Sequence, residues 1–584
     1  MKILAFAAVL AGGIALPAPA GYWTHEQAES VLAKTQEIRL APDLSALTAG
    51  ERKALGRLLE VGRLFQALYE QTRHHQARQA LAALEGPERP PQADMLLRLY
   101  RLNQGPIATT LDNRREPFVP VDAPVPGRNV YPWGVTRDEI DRFLAAHPQE
   151  RDRILDPRTV VRRATADNLR RDLADLQGHP PLDTLHPGLR ARLSAQEDPT
   201  RFYAVPYPVA YADEMLKAYG LLMQAADDLA ADDPEFAGYL RNRARDLLSN
   251  DYESGDAAWV TGRFGRLNAQ IGAYETYDDE LYGTKAFFAV SLLLRDEKAT
   301  TELREVVKGL QEIENALPYE NRKRVREDIP VGVYQVIADF GQARGTNTAT
   351  ILPNDALLAR RYGRTILLRA NIMRHDQIFK GADSSWRAAV ADAFDEDLGP
   401  NGDFQRTLWH EIGHYLGVDR DRQGRVLDVA LQENASALEE MKADLVSLFA
   451  ARALRTRGYY DDKGLRDLHA AGIRRTLQNV RPRRDQPYQT MQLMQMNYFL
   501  EKGLLQWDAG QQALVIHYDR YHDTVASLLR EVLATQYAGD KAASDRFIER
   551  YTTWTPDLHE ALAEKMRASL PFRFRLVRYA ALGE

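Results

Sequence analysis

Apolar residues recur at helical spacing along most of this chain. Leu58, Leu59, Val61, Leu64 and Leu68 form one such stripe, and residues 24 to 104 as a whole read as helical. The stretch from Pro106 to Pro132, with Pro117, Pro120, Pro124 and Pro126 inside it, cannot be a long helix, because proline removes an N–H and its ring clashes with the preceding turn. It predicts a linker or an extended wrap. Residues 136 to 250 read as helical again, with loops at Pro180-Pro181 and Pro206-Tyr207-Pro208. A β-prone zone covers 329 to 369, with its clearest strands at Ile329–Tyr334 and Thr365–Leu368. Further helices are predicted over 403–416, 430–456 and 523–537, and a hairpin around Asp508-Ala509-Gly510 leads into the β-like run Leu514-Val515-Ile516. The pattern predicts an α+β, predominantly α-helical fold with a minor sheet. No internal repeat or low-complexity tract is present.

Length changes the picture first. A chain of 584 residues exceeds what one hydrophobic core serves, so two lobes are expected. A formal net charge of −6 and a pI near 6.2 give no reason to expect a nucleic-acid or lipid-headgroup partner. The small basic cluster Arg481, Arg483, Arg484 reads as a solvated loop. Lys2 followed by the apolar run Ile3–Leu16 and Pro17-Ala18-Pro19-Ala20 has the layout of a secretory signal peptide over residues 1–20, with the mature chain starting near Gly21. The run is shorter than the roughly 20 apolar residues a membrane span takes. No cysteine is present, which excludes disulfides, thiolate metal sites and a lipid-anchored lipoprotein. The expected setting is outside the cytoplasm, in a bacterial periplasm, without a membrane anchor.

The chemistry is concentrated in Leu408-Trp409-His410-Glu411-Ile412-Gly413-His414-Tyr415-Leu416-Gly417, which contains HExxH. Positions four apart share a helix face, so His410 and His414 can reach one Zn²⁺ at about 2.0–2.1 Å. Glu411 is then placed to take a proton from the attacking water. Gly417 can end the helix. A catalytic zinc needs a third protein ligand. In HExxHxxGxxH that position would be Arg420, which cannot bind a cation, and Asp419 and Asp421 are out of register. Asp419-x-Asp421-x-x-Gly424 itself reads as a turn, since it lacks the oxygen ligands of a calcium loop. A glutamate on the next helix is the other solution. Glu440, Ala443 and Asp444 share one face there: Glu440 would bind the metal, small Ala443 would let the helices approach, and Asp444 would orient a histidine. Spacing alone does not separate Glu440 from Glu439 or Glu433. The ligand types favour zinc without excluding cobalt or manganese.

HExxH followed by Glu439-Glu440-x-x-Ala443-Asp444 resembles the dipeptidyl peptidase III family. Ile271-Gly272-Ala273-Tyr274-Glu275-Thr276-Tyr277-Asp278-Asp279, with Gly283 and Phe287, is similar to that family's IGxxExYxD segment, and Leu352-Pro353-Asn354-Asp355 to its IPN segment. The resemblance implies a helical zinc-bearing lobe and a mixed lobe with a small β-barrel-like sheet, facing each other across a cleft that binds oligopeptides. The lobes expected are 21–290 with 325–375, and 291–324 with 376–565, followed by a C-terminal segment 566–584. The resemblance further implies release of N-terminal dipeptides, with one Zn²⁺ on His410, His414 and Glu440. Glu411 would be the base, Glu439 and Asp444 would support the histidines, and Asn354 would hold substrate. The chain has the five-residue motif of a shorter bacterial branch. It carries Asn268, Gln270 and Ile351 where the family has substrate anchors, and no histidine between His469 and His517. Tyr274, Tyr277, Tyr488, His517 and His522 are the available substitutes. The alternatives left open are a zinc-containing peptide-binding protein without turnover and a zinc aminopeptidase or endopeptidase.

Overall fold

The computed structural model describes residues 21–194, 198–325, 330–345, 347–352, 358, 361–483 and 486–584. The leader expected over residues 1–20, the strand start at Ile329, Arg484 of the basic cluster and the substrate residue Asn354 lie outside the described residues.

Helices dominate, as the periodicity predicts, and the strands are short: β1 (Thr35–Leu40), β2 (Ile107–Thr109), β3 (Arg115–Pro117), β4 (Thr159–Ala164), β5 (Asp198–Pro206), β6 (Leu267–Ala273), β7 (Phe288–Arg295), β8 (Val331–Gly341), β9 (Ala349–Leu352), β10 (Thr365–Arg369), β11 (Leu505–Asp508), β12 (Ala513–Ile516) and β13 (Phe574–Tyr579). Two stretches expected to be helical contain strands. β1 interrupts the 24–104 region, and β4 pairs antiparallel with β5 inside 136–250. β1 is stabilised from far along the chain, by parallel pairing with β13 from Thr35↔Phe574 to Leu40↔Tyr579. No local signal announces that partner. Pro206-Tyr207-Pro208 is not a loop: β5 ends at Pro206 and a short helix, Tyr207–Ala210, starts directly, with Pro208 in its first turn where no N–H is needed. The proline-rich stretch holds the β2–β3 hairpin within an extended path. The β11–β12 hairpin forms where it was expected.

The principal sheet has the order β6-β7-β8-β10-β9. β6, β7 and β8 are antiparallel neighbours, β10 joins β8 in parallel, and β9 folds back antiparallel on β10. The order is open, and closure into a barrel is not seen among the described residues. Alternate residues of a strand face opposite sides, and β10 uses this to serve two cores. Leu367 packs with Phe65, Val336 and Phe340 in one hydrophobic cluster, while Ile366 and Leu368 pack with Trp386, Leu408 and Trp409 in another. The sheet therefore lies between a core built largely from residues 38–340 and a second built largely from residues 303–551.

The Ala49–Arg73 helix lies against this sheet closely enough that a Cβ at Gly62 would fall 2.2 Å from the Phe340 ring. Gly62→Val is expected to cost about 1–3 kcal/mol through overpacking. A melting temperature unchanged from wild type in differential scanning calorimetry would contradict this packing.

Candidate metal centre and cleft

The HExxH segment forms the last turns of the Gly402–Gly413 helix, with His414 as its C-terminal cap. Gly417 turns the chain at φ +77°, and its N–H donates to Glu314 Oε2 at 2.9 Å. The Asn434–Thr456 helix packs across it. A Cβ at Gly413 would lie 2.7 Å from the Ala443 carbonyl oxygen, so the absent side chain at Gly413 and the small one at Ala443 let the two backbones nearly touch. That contact brings the carboxylates of the second helix onto the histidines of the first.

His410, Glu411 and His414 offer ligand atoms that all lie within 4.8 Å of one another. Glu440 Oε2 reaches the same point, 3.2 Å from His410 Nε2 and 3.8 Å from His414 Nε2. This oxygen is buried and has no hydrogen-bond partner among the described residues. A buried carboxylate oxygen left without a partner is costly. A cation shared with the two imidazoles removes that cost, so the donor set fits a divalent metal.

The opposite edges of the rings are fixed. His410 Nδ1 is 2.7 Å from Asp444 Oδ1, which also accepts from Arg406 Nη1 at 2.9 Å. His414 Nδ1 is 3.0 Å from Glu439 Oε1, which Lys442 Nζ approaches to 2.7 Å. In each pair the acid holds the Nδ1 edge and turns Nε2 towards Glu440, where it can bind a metal once its proton is displaced. Burial works against a charged His410, but Asp444 and Glu440 more than offset it, and in the metal-free site the imidazole is held up at about 9. Burial likewise opposes the Glu439 carboxylate, yet Lys442 and His414 bring it down to about 2.

A cavity of about 480 Å³ runs from this cluster to the principal sheet. Glu411, His414, Glu440 and Tyr488 line one side; Gln270, Ser291, Ala349 and Arg369 line the other. The Tyr488 hydroxyl bonds the Glu440 carboxyl. Of the substitutes named from sequence, Tyr274, Tyr277 and Tyr488 line this cleft. His517 and His522 are spent elsewhere: His517 pairs with Gln506 and His522 stacks on Phe449. Asn268 is a core residue that accepts from Trp259 Nε1 at 2.9 Å and donates to the Tyr334 hydroxyl at 3.2 Å. Glu433 bonds Lys541 at 2.9 Å and lies outside the cluster. Asp421 closes a turn by accepting from the N–H groups of Gln423 and Arg425. Sequence reasoning missed Arg369 and Ser291, because only the strand register places them at the cleft.

Among solved structures, a DPP III from Caldithrix abyssi superposes with a TM-score of 0.78 at 24% identity, covering 94% of this chain and 98% of that one. The fold is that of dipeptidyl peptidase III. A dipeptidyl-peptidase III from Corallococcus sp. strain EGB gives a TM-score of 0.71 at 24% identity, over 95% and 97% of the two chains. Dipeptidyl peptidase III structures have two lobes, in keeping with the two cores seen here. Among curated proteins, Nudix hydrolase 3 of Arabidopsis thaliana is 28% identical over 463 residues, 77% of this chain and 57% of that protein. The chain thus spans little more than half the length of that relative. No family model matches the chain. No helix among the described residues is long and apolar enough to cross a membrane.

Because His410 carries a proton below about pH 9 in the metal-free site, a cation that binds there displaces it. Metal affinity is therefore expected to fall as the pH is lowered from 9 towards 6. Calorimetric titration of apoprotein at pH 7, in two buffers of different ionisation enthalpy, should show release of about one proton per metal. Zero release, or an affinity independent of pH, would contradict this assignment of the site.

Proposed function

We propose that the chain is a zinc-dependent peptidase that hydrolyses oligopeptides in the cleft and releases dipeptides from their N-termini. The observation that carries the reading is the unpartnered, buried Glu440 Oε2 set against the Nε2 atoms of His410 and His414, with the Glu411 carboxylate beside them in the cleft. The dipeptidyl peptidase III fold supports the peptidase class, and the EExxAD run of the second helix supports the choice of ligand.

In this reading His410, His414 and Glu440 hold one Zn²⁺, with Asp444 and Glu439 keeping the imidazoles aimed. Bound zinc supplies Lewis acidity, polarising the scissile carbonyl and bringing the pKa of a water from 15.7 to about 7. Glu411 takes the proton of the attacking water on its carboxylate and passes it to the departing amine. Tyr488 stands on the same wall and keeps the Glu440 carboxyl oriented through its hydroxyl. Glu411 is assigned as base and Glu440 as ligand because Glu440 Oε2 approaches both Nε2 atoms. Asn354 is assigned to the N-terminal part of the substrate on the strength of the IPN segment alone. We further place residues 1–20 as a cleaved leader and the mature protein in a bacterial periplasm. The lobes are 21–290 with 325–375, and 291–324 with 376–565, with 566–584 as a C-terminal segment.

Glu411→Gln should retain zinc, measured by elemental analysis, and lose peptide turnover by at least about 10²-fold, the lower end of what a general base supplies. Mass spectrometry of products from a mixed peptide set reads the specificity: dipeptides support the full proposal, and single residues or internal cuts replace the dipeptide specificity with another. Peptides bound but returned intact by zinc-loaded wild type would overturn the enzyme reading.

A further inference from the structure

Strand register puts a polar row on the sheet side of the cleft. Gln270 on β6 is paired with Ser291 on β7, and Ser291 with Asp339 on β8. Arg369, the last residue of β10, reaches along this row. Its Nη2 donates to Gln270 Oε1 at 3.1 Å and to Ser291 Oγ at 2.8 Å. The residue is only 1% exposed yet lines the cavity. Its Nε and Nη1, and the Gln270 Nε2 beside them, have no hydrogen-bond partner among the described residues.

A buried cation with donors unspent is expensive unless an anion meets it. Asp339 is an anion within the fold that feels Arg369. It is fully buried with the Ser291 and Tyr579 hydroxyls beside it, and no hydrogen bond or ion pair joins it to the Arg369 guanidinium among the described residues. Burial pushes its carboxyl up against the pull of Arg369. A structural ion pair would use the guanidinium fork on that carboxylate; no such pair forms here, and Arg369 lines the cleft with Nε and Nη1 unspent. The cleft's own Glu275 is engaged by the Tyr277 hydroxyl. A neutral peptide carbonyl could accept one N–H but would leave the charge unbalanced.

From this arrangement we infer that Arg369, with the Gln270 amide, forms a carboxylate-recognition site facing the metal cluster across the cleft. The substrates it selects are short peptides that bring a carboxylate over β6 and β7. That carboxylate comes from an acidic side chain or from the peptide's free C-terminus. The selection among cleaved substrates rests on the peptidase reading above; the binding of a carboxylate does not.

The test uses full-length, zinc-loaded protein and three pentapeptide designs: neutral with an amidated C-terminus, the same with a glutamate moved through each position, and the neutral peptide with a free C-terminus. Binding is measured to Glu411→Gln protein, and turnover with the native residue at 411. Charge-assisted hydrogen bonds of this kind correspond to about 10- to 100-fold in affinity. Carboxylate-bearing peptides should bind that much more tightly than the neutral one, and the advantage should fall in KM rather than kcat. In Arg369→Gln the advantage should shrink to about 1-fold, and Arg369→Lys, which keeps the charge but not the fork, should recover only part of it. A glutamate peptide preferred over the free C-terminus identifies a side-chain subsite; the reverse identifies a C-terminal one. Equal binding of neutral and carboxylate peptides by the Glu411→Gln protein overturns the inference whether or not Arg369→Gln folds. An advantage that survives Arg369→Gln in folded protein overturns it too. Preferential binding without cleavage by wild type keeps the inference and removes the peptidase reading.

Discussion

The near-contact of Gly413 with Ala443 is the constraint on which the site depends. Two helices whose backbones approach this closely leave no room for any side chain at Gly413 and set a small one, Ala443, against it. Everything else follows from the faces they then present. One helix shows His410 and His414, and the other shows Glu440 between Glu439 and Asp444. The acids that orient the rings and the acid that faces the metal position thus come from one turn and a half of a single helix. Arg406 and Lys442, both buried, offset the charge of Asp444 and Glu439, so the cluster of carboxylates is stable without relying on solvent.

The sheet supplies the opposite side of the cleft for a different physical reason. β10 directs Leu367 to one core and Ile366 and Leu368 to the other, which ties the strand to both bodies. The polar side chains of Gln270, Ser291 and Arg369 are what remains facing the gap. The floor of the cleft therefore owes its position to hydrophobic burial elsewhere, and its chemistry to a few residues at register-matched positions.

The candidate metal cluster was legible in the sequence because its spacing is local. HExxH encodes one helix face, and Glu440, Ala443 and Asp444 encode another, so only the approach of two neighbouring helices had to be supplied, and a small residue at 443 announced it. The helices over 403–416, 430–456 and 523–537 were legible for the same reason, but the first ends at Gly413, short of Gly417, and the second breaks where Gln432 turns to φ +53° between Leu427–Leu431 and Asn434–Thr456. β1 was not, since Thr35–Leu40 becomes a strand only through pairing with residues more than 500 positions away. β4 and β5 were hidden among helical patterns, and Pro206–Pro208 was mistaken for a loop where proline serves a helix start. Asn268 and Gln270 show the limit most clearly. Two residues apart on one strand, they looked equivalent in sequence, but the Trp259 and Tyr334 side chains take Asn268 into the core while Gln270 reaches the cleft. The signal that could have found Arg369 was an arginine ending an apolar strand, and that signal alone does not say where the side chain goes.

The central claim is that a zinc ion is held by two histidines and the carboxylate of Glu440. X-ray absorption at the zinc edge, on wild type and Glu440→Gln loaded with one equivalent of metal, tests it most directly. The account predicts two imidazole nitrogens and carboxylate oxygen around zinc in wild type, with the carboxylate contribution and much of the affinity lost in the variant. A variant with the same coordination and the same affinity as wild type would contradict it.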